Sequence, residues 1–183
     1  MASTLSTTSY ALLSLLVLDK ETSERGMTGY ELKQRADNTL RFYWVSPAMS
    51  QIYTELDRLH QHDYVSSIEV EDGKRTTRRF AITKGGRTAL DTWLQTPPDE
   101  FPVLKHPIAL RLMLGSRMGS DAVREMLDHY LEQVAERRGQ LEAVRERLGD
   151  RTEVEFPARV ADWGLAYFDS ETEIVERLRK TID

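Results

Sequence analysis

Two stretches of this chain hold side chains suited to gripping a nucleic acid. The first is Ala48-Met49-Ser50-Gln51, followed by Thr54. A glutamine amide can pair with adenine N6 and N7, while serine and threonine hydroxyls reach base edges or phosphate oxygens. Such residues read a duplex when a helix carries them into the major groove by its N-terminal end. The second stretch, Lys74 to Arg87, contains Lys74, Arg75, Arg78, Arg79, Lys84 and Arg87 and no carboxylate. A run of charge is usually solvated surface, but cations at the tip of a hairpin can straddle a phosphate backbone or enter a minor groove. Lys74, Arg75 and Arg79 are the candidates there, whereas Arg78 alternates with Phe80 and is read as pointing inward. Tyr30 and Tyr53 can each give a hydroxyl to a phosphate or a ring to the core.

Other chemistries lack their residues. There is no cysteine, which excludes disulfides, thiolate zinc sites and cysteine nucleophiles. His60 and His62 fall on different helix faces, and His106 and His129 stand alone, so no metal site is expected. No G-x-S-x-G elbow, P-loop or dinucleotide fingerprint occurs. Neither an enzymatic activity nor a cofactor is expected.

The elements that must position these residues follow from periodicity. Tyr10, Leu12, Leu13, Leu15, Leu16 and Leu18 are too dense for one narrow stripe and predict a well-buried helix over Thr7–Asp19. Thr28 with Glu31 is a capping box that opens a second helix, to about Asp37. Ser46-Pro47 predicts the start of a third, Ser as N-cap and Pro in the first turn. Met49, Ile52, Tyr53, Leu56 and Leu59 form its buried stripe. The period then changes: Tyr64–Val70 and Arg75–Ile82 read as two strands about a turn at Asp72-Gly73. Thr83 caps a further helix with Leu90, Trp93 and Leu94 on its buried face. Three helices, a hairpin and a helix are the order of a winged helix-turn-helix.

Thr96-Pro97-Pro98-Asp99-Glu100-Phe101-Pro102 is a stiff boundary. It divides a winged helix-turn-helix over residues 1–96 from a helical region over 104–183, with a hinge at 97–103. The fold class is mainly α with a small β-hairpin wing. Beyond the hinge, Leu127, Tyr130, Val134, Leu141, Val144 and Leu148 recur at heptad spacings on one long helix from Ser120. A last helix from about Pro157 carries Val160, Trp163, Tyr167, Ile174 and Leu178. Two such helices cannot form a stable core alone, so they are expected to pack on each other and on a second copy of the chain. Leu127, Tyr130, Val134, Leu141, Val144, Leu148, Trp163 and Tyr167 are the expected dimer interface.

Composition sets bounds on these readings. The 183 residues, 40% hydrophobic and 30% charged, suit a folded globular chain. The formal charge of −5 is unevenly spread, because residues 1–96 balance and all the excess lies beyond them. Phosphate binding answers to local fields, so the acidity does not exclude DNA. The longest apolar stretch is far shorter than the roughly 20 residues of a membrane span. Met1–Ser9 carries no charge, so no signal peptide is expected and the location is read as cytoplasmic.

Gly29-Tyr30-Glu31-Leu32, then Ser50-Gln51-Ile52-Tyr53-Thr54-Glu55-Leu56-Asp57-Arg58-Leu59, then Arg79-Phe80-Ala81-Ile82-Thr83-Lys84-Gly85-Gly86-Arg87 closely resemble the motifs of the PadR family of bacterial transcriptional regulators. The likeness is detailed over residues 7–95. From 104 onward it is one of architecture, the helical dimerisation region of the longer subgroup. Asp63 stands where the family usually has glycine, and aspartate tolerates the positive φ expected there. The resemblance implies a homodimeric regulator, most simply a repressor, on double-stranded DNA carrying an inverted repeat. Ala48, Met49, Ser50, Gln51 and Thr54 would face the groove, with Tyr30, Tyr53, Lys74, Arg75 and Arg79 on the backbone. It further implies a small aromatic effector, for which Trp93, Trp163 and Tyr167 would line a pocket unless they are dimer core. The rival reading is a helical dimer whose winged helix docks a protein or ligand and not DNA.

Overall fold

A computed structural model describes residues 5–18, 24–42, 44–72, 75–98 and 105–182. The chain divides into two compact units, Met1–Phe101 and Pro102–Asp183. Lys74 and residues 99–103 of the expected hinge lie outside the described residues, as does the side chain of Arg75.

In the first unit, helix α1 (Thr7–Val17) is capped by Ser6, whose hydroxyl accepts from the Ser9 N–H at 3.0 Å. Leu12, Leu13, Leu15 and Leu16 are all buried, as their density predicts. The Ser6 and Ser9 hydroxyls both donate to the Glu55 carboxylate, which ties the start of α1 to the third helix. Strand β1 (Met27–Thr28) leads into α2 (Gly29–Thr39). The expected capping box is present: Thr28 Oγ1 accepts from the Glu31 N–H at 3.1 Å, and Glu31 accepts from the Thr28 N–H at 2.7 Å.

Helix α3 spans Met49–Gln61 and buries Ile52, Leu56 and Leu59. It begins later than Ser46-Pro47 predicts, with Ala48 at the N-cap. Ser46 is otherwise engaged: its hydroxyl donates to Asp37 at 2.6 Å and accepts from Lys33 at 3.1 Å. Asp63 then takes φ 57°, the left-handed turn expected of it. Strands β2 (Val65–Asp72) and β3 (Arg75–Ile82) pair antiparallel from Val65↔Ile82 to Asp72↔Arg75.

The hairpin belongs to a three-stranded sheet in the order β1-β3-β2, with Met27 opposite Phe80 and Thr28 opposite Arg79. Two residues are too few to show an alternating pattern, so this edge strand reads as loop from sequence. Helix α4 (Lys84–Gln95) starts from Thr83, whose hydroxyl accepts from the Gly86 N–H. It buries Leu90, but Trp93 and Leu94 are 39% and 64% exposed, against the expected buried face. The Trp93 ring instead stacks on Tyr10 at 4.8 Å between centroids. The core joins the leucines of α1 with Leu32, Ile52, Leu56, Leu59, Val65 and Phe80. Each large side chain so buried contributes about 1.5–3 kcal/mol, which explains how helices of only 11–13 residues hold.

The second unit holds α5 (Pro107–Leu112), α6 (Ser120–Leu148) and α7 (Glu155–Lys180). Arg145 pairs with Asp162, Arg138 with Asp169 and Arg179 with Asp128. Numbers fall on one helix as they rise on the other, so α6 and α7 run antiparallel. Small residues let them approach closely: a Cβ on Gly164 would meet Leu141 Cδ2 at 2.6 Å. Leu127 clusters with Val123 and Val175. The heptad seam is thus closed inside one chain. Leu127, Val134 and Leu141 are 0–2% exposed without any second copy, a correction to their expected place between subunits. Tyr130, Val144 and Leu148 are half-buried on the same helix.

A buried polar group pins α5 to this pair. His106 caps α5 by accepting the Ala109 N–H on Nδ1 at 3.2 Å. A backbone N–H only donates, so Nε2 carries the proton and gives it to Glu171 Oε1 at 2.7 Å. Tyr130 donates to the same oxygen at 3.1 Å. Burial, then the charge of Glu171, pushes the Tyr130 hydroxyl far above its ordinary pKa, so it acts as a neutral donor.

Candidate nucleic-acid interface

Helices α2 and α3 carry the candidate reading residues, and each is placed by local chemistry. Ala48, Ser50, Gln51, Tyr53 and Thr54 are exposed and Met49 is half-buried, so the outer side of the first turns of α3 faces solvent. The Gln51 carbonyl accepts from the Ala48 N–H at 2.9 Å. Gln51 thus satisfies the N-cap N–H from the third helical position, whereas no side chain takes the N-cap role expected of Ser46. Thr54 donates its hydroxyl to the Ser50 carbonyl at 2.9 Å, the internal bond usual for a helical threonine. Its lone pairs still face outward.

Tyr53 and Tyr30 meet this surface from two directions. The Tyr53 ring lies against Gly29, where an added Cβ would come within 2.7 Å of the ring carbons. Glycine is therefore required at the first position of α2 for that tyrosine to lie across it. Tyr53 stays 45% exposed and Tyr30 59% exposed, so the core role allowed for Tyr30 is set aside. The Tyr30 hydroxyl accepts from Gln34 Nε2 at 3.2 Å on the surface.

The wing differs from its sequence reading. Arg79 does not project towards a ligand. Its side chain is 15% exposed, pairs with Glu31 at 3.0 Å and donates to the Gly26 carbonyl at 2.8 Å. It clamps β3 to the start of α2, and its Nε is buried without a partner among the described residues. Arg78 pairs with Asp57 of α3 at 2.8 Å and lies 4.7 Å over the Phe80 ring. The cationic run of the sequence is thus met in space by carboxylates from two helices. Lys84 and Arg87 remain exposed on α4.

Glu31 sits at the centre of the clamp. Burial pushes its carboxyl up, but the Thr28 N–H and the Arg79 guanidinium outweigh that and leave it below its ordinary value of 4.5. A depressed carboxylate adds stability that is complete above its unfolded pKa and is lost as pH falls through the folded one. The N-terminal unit should therefore weaken on the acid side of about pH 4.5, and Glu31→Gln should flatten that part of the curve. Arg79→Ala should cost about 2 kcal/mol, a charged hydrogen bond lost beside a half-buried carboxylate. Urea midpoints measured across pH check both, and equal acid sensitivity in Glu31→Gln and the parent would refute the clamp.

Each within its own unit, the aromatic residues expected to hold an effector stand partly or largely exposed. Trp93 stacks on Tyr10, and Trp163 and Tyr167 stand on α7 at 74% and 46% exposure. The concavity between the end of α6 and the start of α7 carries charged side chains, among them Arg145, Asp150, Arg151, Glu155, Arg159 and Asp162. None of the three aromatics lines it. No helix among the described residues is long and apolar enough to cross a membrane.

Residues 15–92 match the model of the transcriptional regulator PadR-like family. The probable transcriptional regulator Rv1176c of Mycobacterium tuberculosis is 29% identical over 75 residues, which are 40% of this chain and 39% of that protein. The Bacillus subtilis PadR structure in complex with operator DNA superposes with a TM-score of 0.85 at 19% identity, over 99% of this chain and 100% of that one. The structure of the same protein with p-coumaric acid gives 0.72 at 18% identity, over 94% and 99%. Residues 15–92 are thus similar to the PadR-like family of transcriptional regulators, and along its length the chain shares the fold of the PadR structures.

Proposed function

We propose that this chain is a homodimeric, sequence-specific DNA-binding regulator, acting as a repressor that a small aromatic effector releases. The observation that carries the reading is the outer face of α3. Ser50, Gln51 and Thr54 stand exposed at the N-terminal end of the second helix of a helix-turn-helix, the end that enters a major groove. Tyr30 and Tyr53 flank it with hydroxyls at phosphate-contacting positions. The operator complex of the related PadR supports the same use of the fold.

One short helix reads few bases, so two copies on an inverted repeat are needed for a useful site. The surface that joins them is the outer stripe of α7. Phe156, Trp163, Tyr167, Ile174 and Leu178 recur at spacings of seven and four and are 38–75% exposed. Leu110, Met113 and Leu114, at and after the end of α5, add a second apolar patch, 59–80% exposed. Apolar side chains exposed along one helix face in this way mark an interaction surface. The exposure of Trp163 and Tyr167 supports an interface role for them, whereas the inner seam is closed within one chain. Release follows if an effector favours a dimer geometry in which the two α3 helices no longer match successive grooves. The p-coumaric acid complex of the related protein supports an aromatic acid as the ligand class.

The deciding experiment is selection from a random double-stranded DNA pool, followed by titration of the winner at several salt concentrations. The expected result is an inverted repeat with half-sites about 34–36 Å apart, or a multiple of that, bound by a dimer. Absence of any enriched sequence at low salt would favour the protein-docking reading instead. Arg79→Ala, while still folded, should leave the salt slope of binding unchanged, because its charge already answers Glu31. A slope lower by about one unit would restore Arg79 as a phosphate contact.

A further inference from the structure

We propose that Gln51 reads guanine as a pure donor and does not pair bidentately with adenine, an inference that rests on the DNA-binding function above. The cause is the way α3 begins. Ala48 at the N-cap has no side-chain oxygen to serve the first turn, and Ser46 is held by Asp37 and Lys33. Gln51 serves the reciprocal half of a capping box, its amide oxygen accepting from the Ala48 N–H at 2.9 Å.

That bond settles which end of the amide faces out. A backbone N–H has no lone pair to offer, so the atom beside it is the carbonyl oxygen of Gln51. The NH2 group is left on the exposed side, with two hydrogens and no acceptor among the described hydrogen bonds. Pairing with adenine needs both ends of the amide, the oxygen accepting from N6 and the nitrogen donating to N7. With the oxygen turned back on the helix and one of its two lone pairs taken by the Ala48 N–H, the amide presents its NH2 group outward. Guanine O6 and N7 are adjacent acceptors in the major groove that one NH2 group can bridge, and no other base presents two. The same residue thus closes the helix N-terminus and fixes its own hydrogen-bonding character. A glutamine elsewhere on the helix, with a free amide, would have both.

The test uses the full-length protein and its selected operator. Gln51→Glu keeps an acceptor for the Ala48 N–H and loses both donors, so it should melt with the parent. Its affinity for the parent operator should drop about tenfold, the scale of one lost base contact. Gln51→Ala should drop similarly and lose preference at the same single position in each half-site. That position should be guanine in the parent selection. Replacing it by 7-deazaguanine, which lacks N7, should weaken binding of the parent and leave Gln51→Ala unaffected. Adenine at that position, indifference of the parent to 7-deazaguanine, or an unchanged preference in Gln51→Ala would each overturn the inference while leaving DNA binding intact. Failure of the parent to enrich any sequence would remove the DNA-binding function and this inference together.

Discussion

Gly86→Ala is expected to cost the N-terminal unit about 3 kcal/mol or more, whereas Gly85→Ala, one residue earlier, leaves it as stable or slightly more so. The contrast comes from what a methyl group would meet. At Gly86 a Cβ would stand 2.1 Å from the Tyr64 carbonyl oxygen and 2.8 Å from Ile82 Cγ1. The carbonyl cannot retreat freely, because it accepts from the Thr83 N–H at 3.0 Å and so closes the end of the hairpin onto α4. Overpacking against side chains costs about 1–3 kcal/mol, and a fixed backbone atom yields less than a side chain. At Gly85 the nearest atoms lie 3.6 Å away, ordinary contact, and alanine in place of glycine favours a helix by roughly 0.5–1 kcal/mol. Thermal melts of the two variants separate the cases. Equal melting would mean that the start of α4 can shift without loss.

The second large effect concerns α7. Trp163→Glu combined with Ile174→Glu should give a folded monomer, because both side chains are exposed, at 74% and 45%. Losing the second reading helix should weaken binding to the inverted repeat by about 10²–10⁴-fold, while affinity for a single half-site stays near that of the parent. Sedimentation and operator titration measure the two. Leu141→Glu behaves differently. Leu141 is 1% exposed and sits over Gly164 in the same chain, so a carboxylate there should unfold the helical pair itself, beyond any effect on dimerisation. A stable dimer of the double variant would move the interface off the outer stripe of α7.

Much of the winged helix was legible from side chains that act within a few residues. The Thr28–Glu31 box and the Thr83 cap depend on near neighbours, and both are present, while the left-handed turn at Asp63, also present, was expected from the resemblance. What sequence reading missed depends on distant partners. Ser46 is an ordinary N-cap until Asp37 and Lys33 are placed beside it. The cations of the wing look uncompensated until folding brings Asp57 to Arg78 and Glu31 to Arg79. The heptad pattern of α6 is real, but a seam of apolar residues does not say whether its partner comes from the same chain. The exposed stripe of α7 was detectable, since Trp163, Tyr167, Ile174 and Leu178 were already singled out, yet their spacing alone did not separate them from the inner face.

The three-stranded sheet has a consequence for how the N-terminal unit assembles. Strands β2 and β3 lie two residues apart in the chain and can zip together locally, whereas β1 reaches β3 only after half the unit has been laid down. The contacts that close this edge, Arg79 to the Gly26 carbonyl and to Glu31, span 53 and 48 residues of chain. Closing so long a loop carries an entropic penalty that local pairing avoids, and contacts of this range slow folding. The hairpin is therefore expected to precede the edge strand during folding, with the Arg79 clamp to α2 closing late.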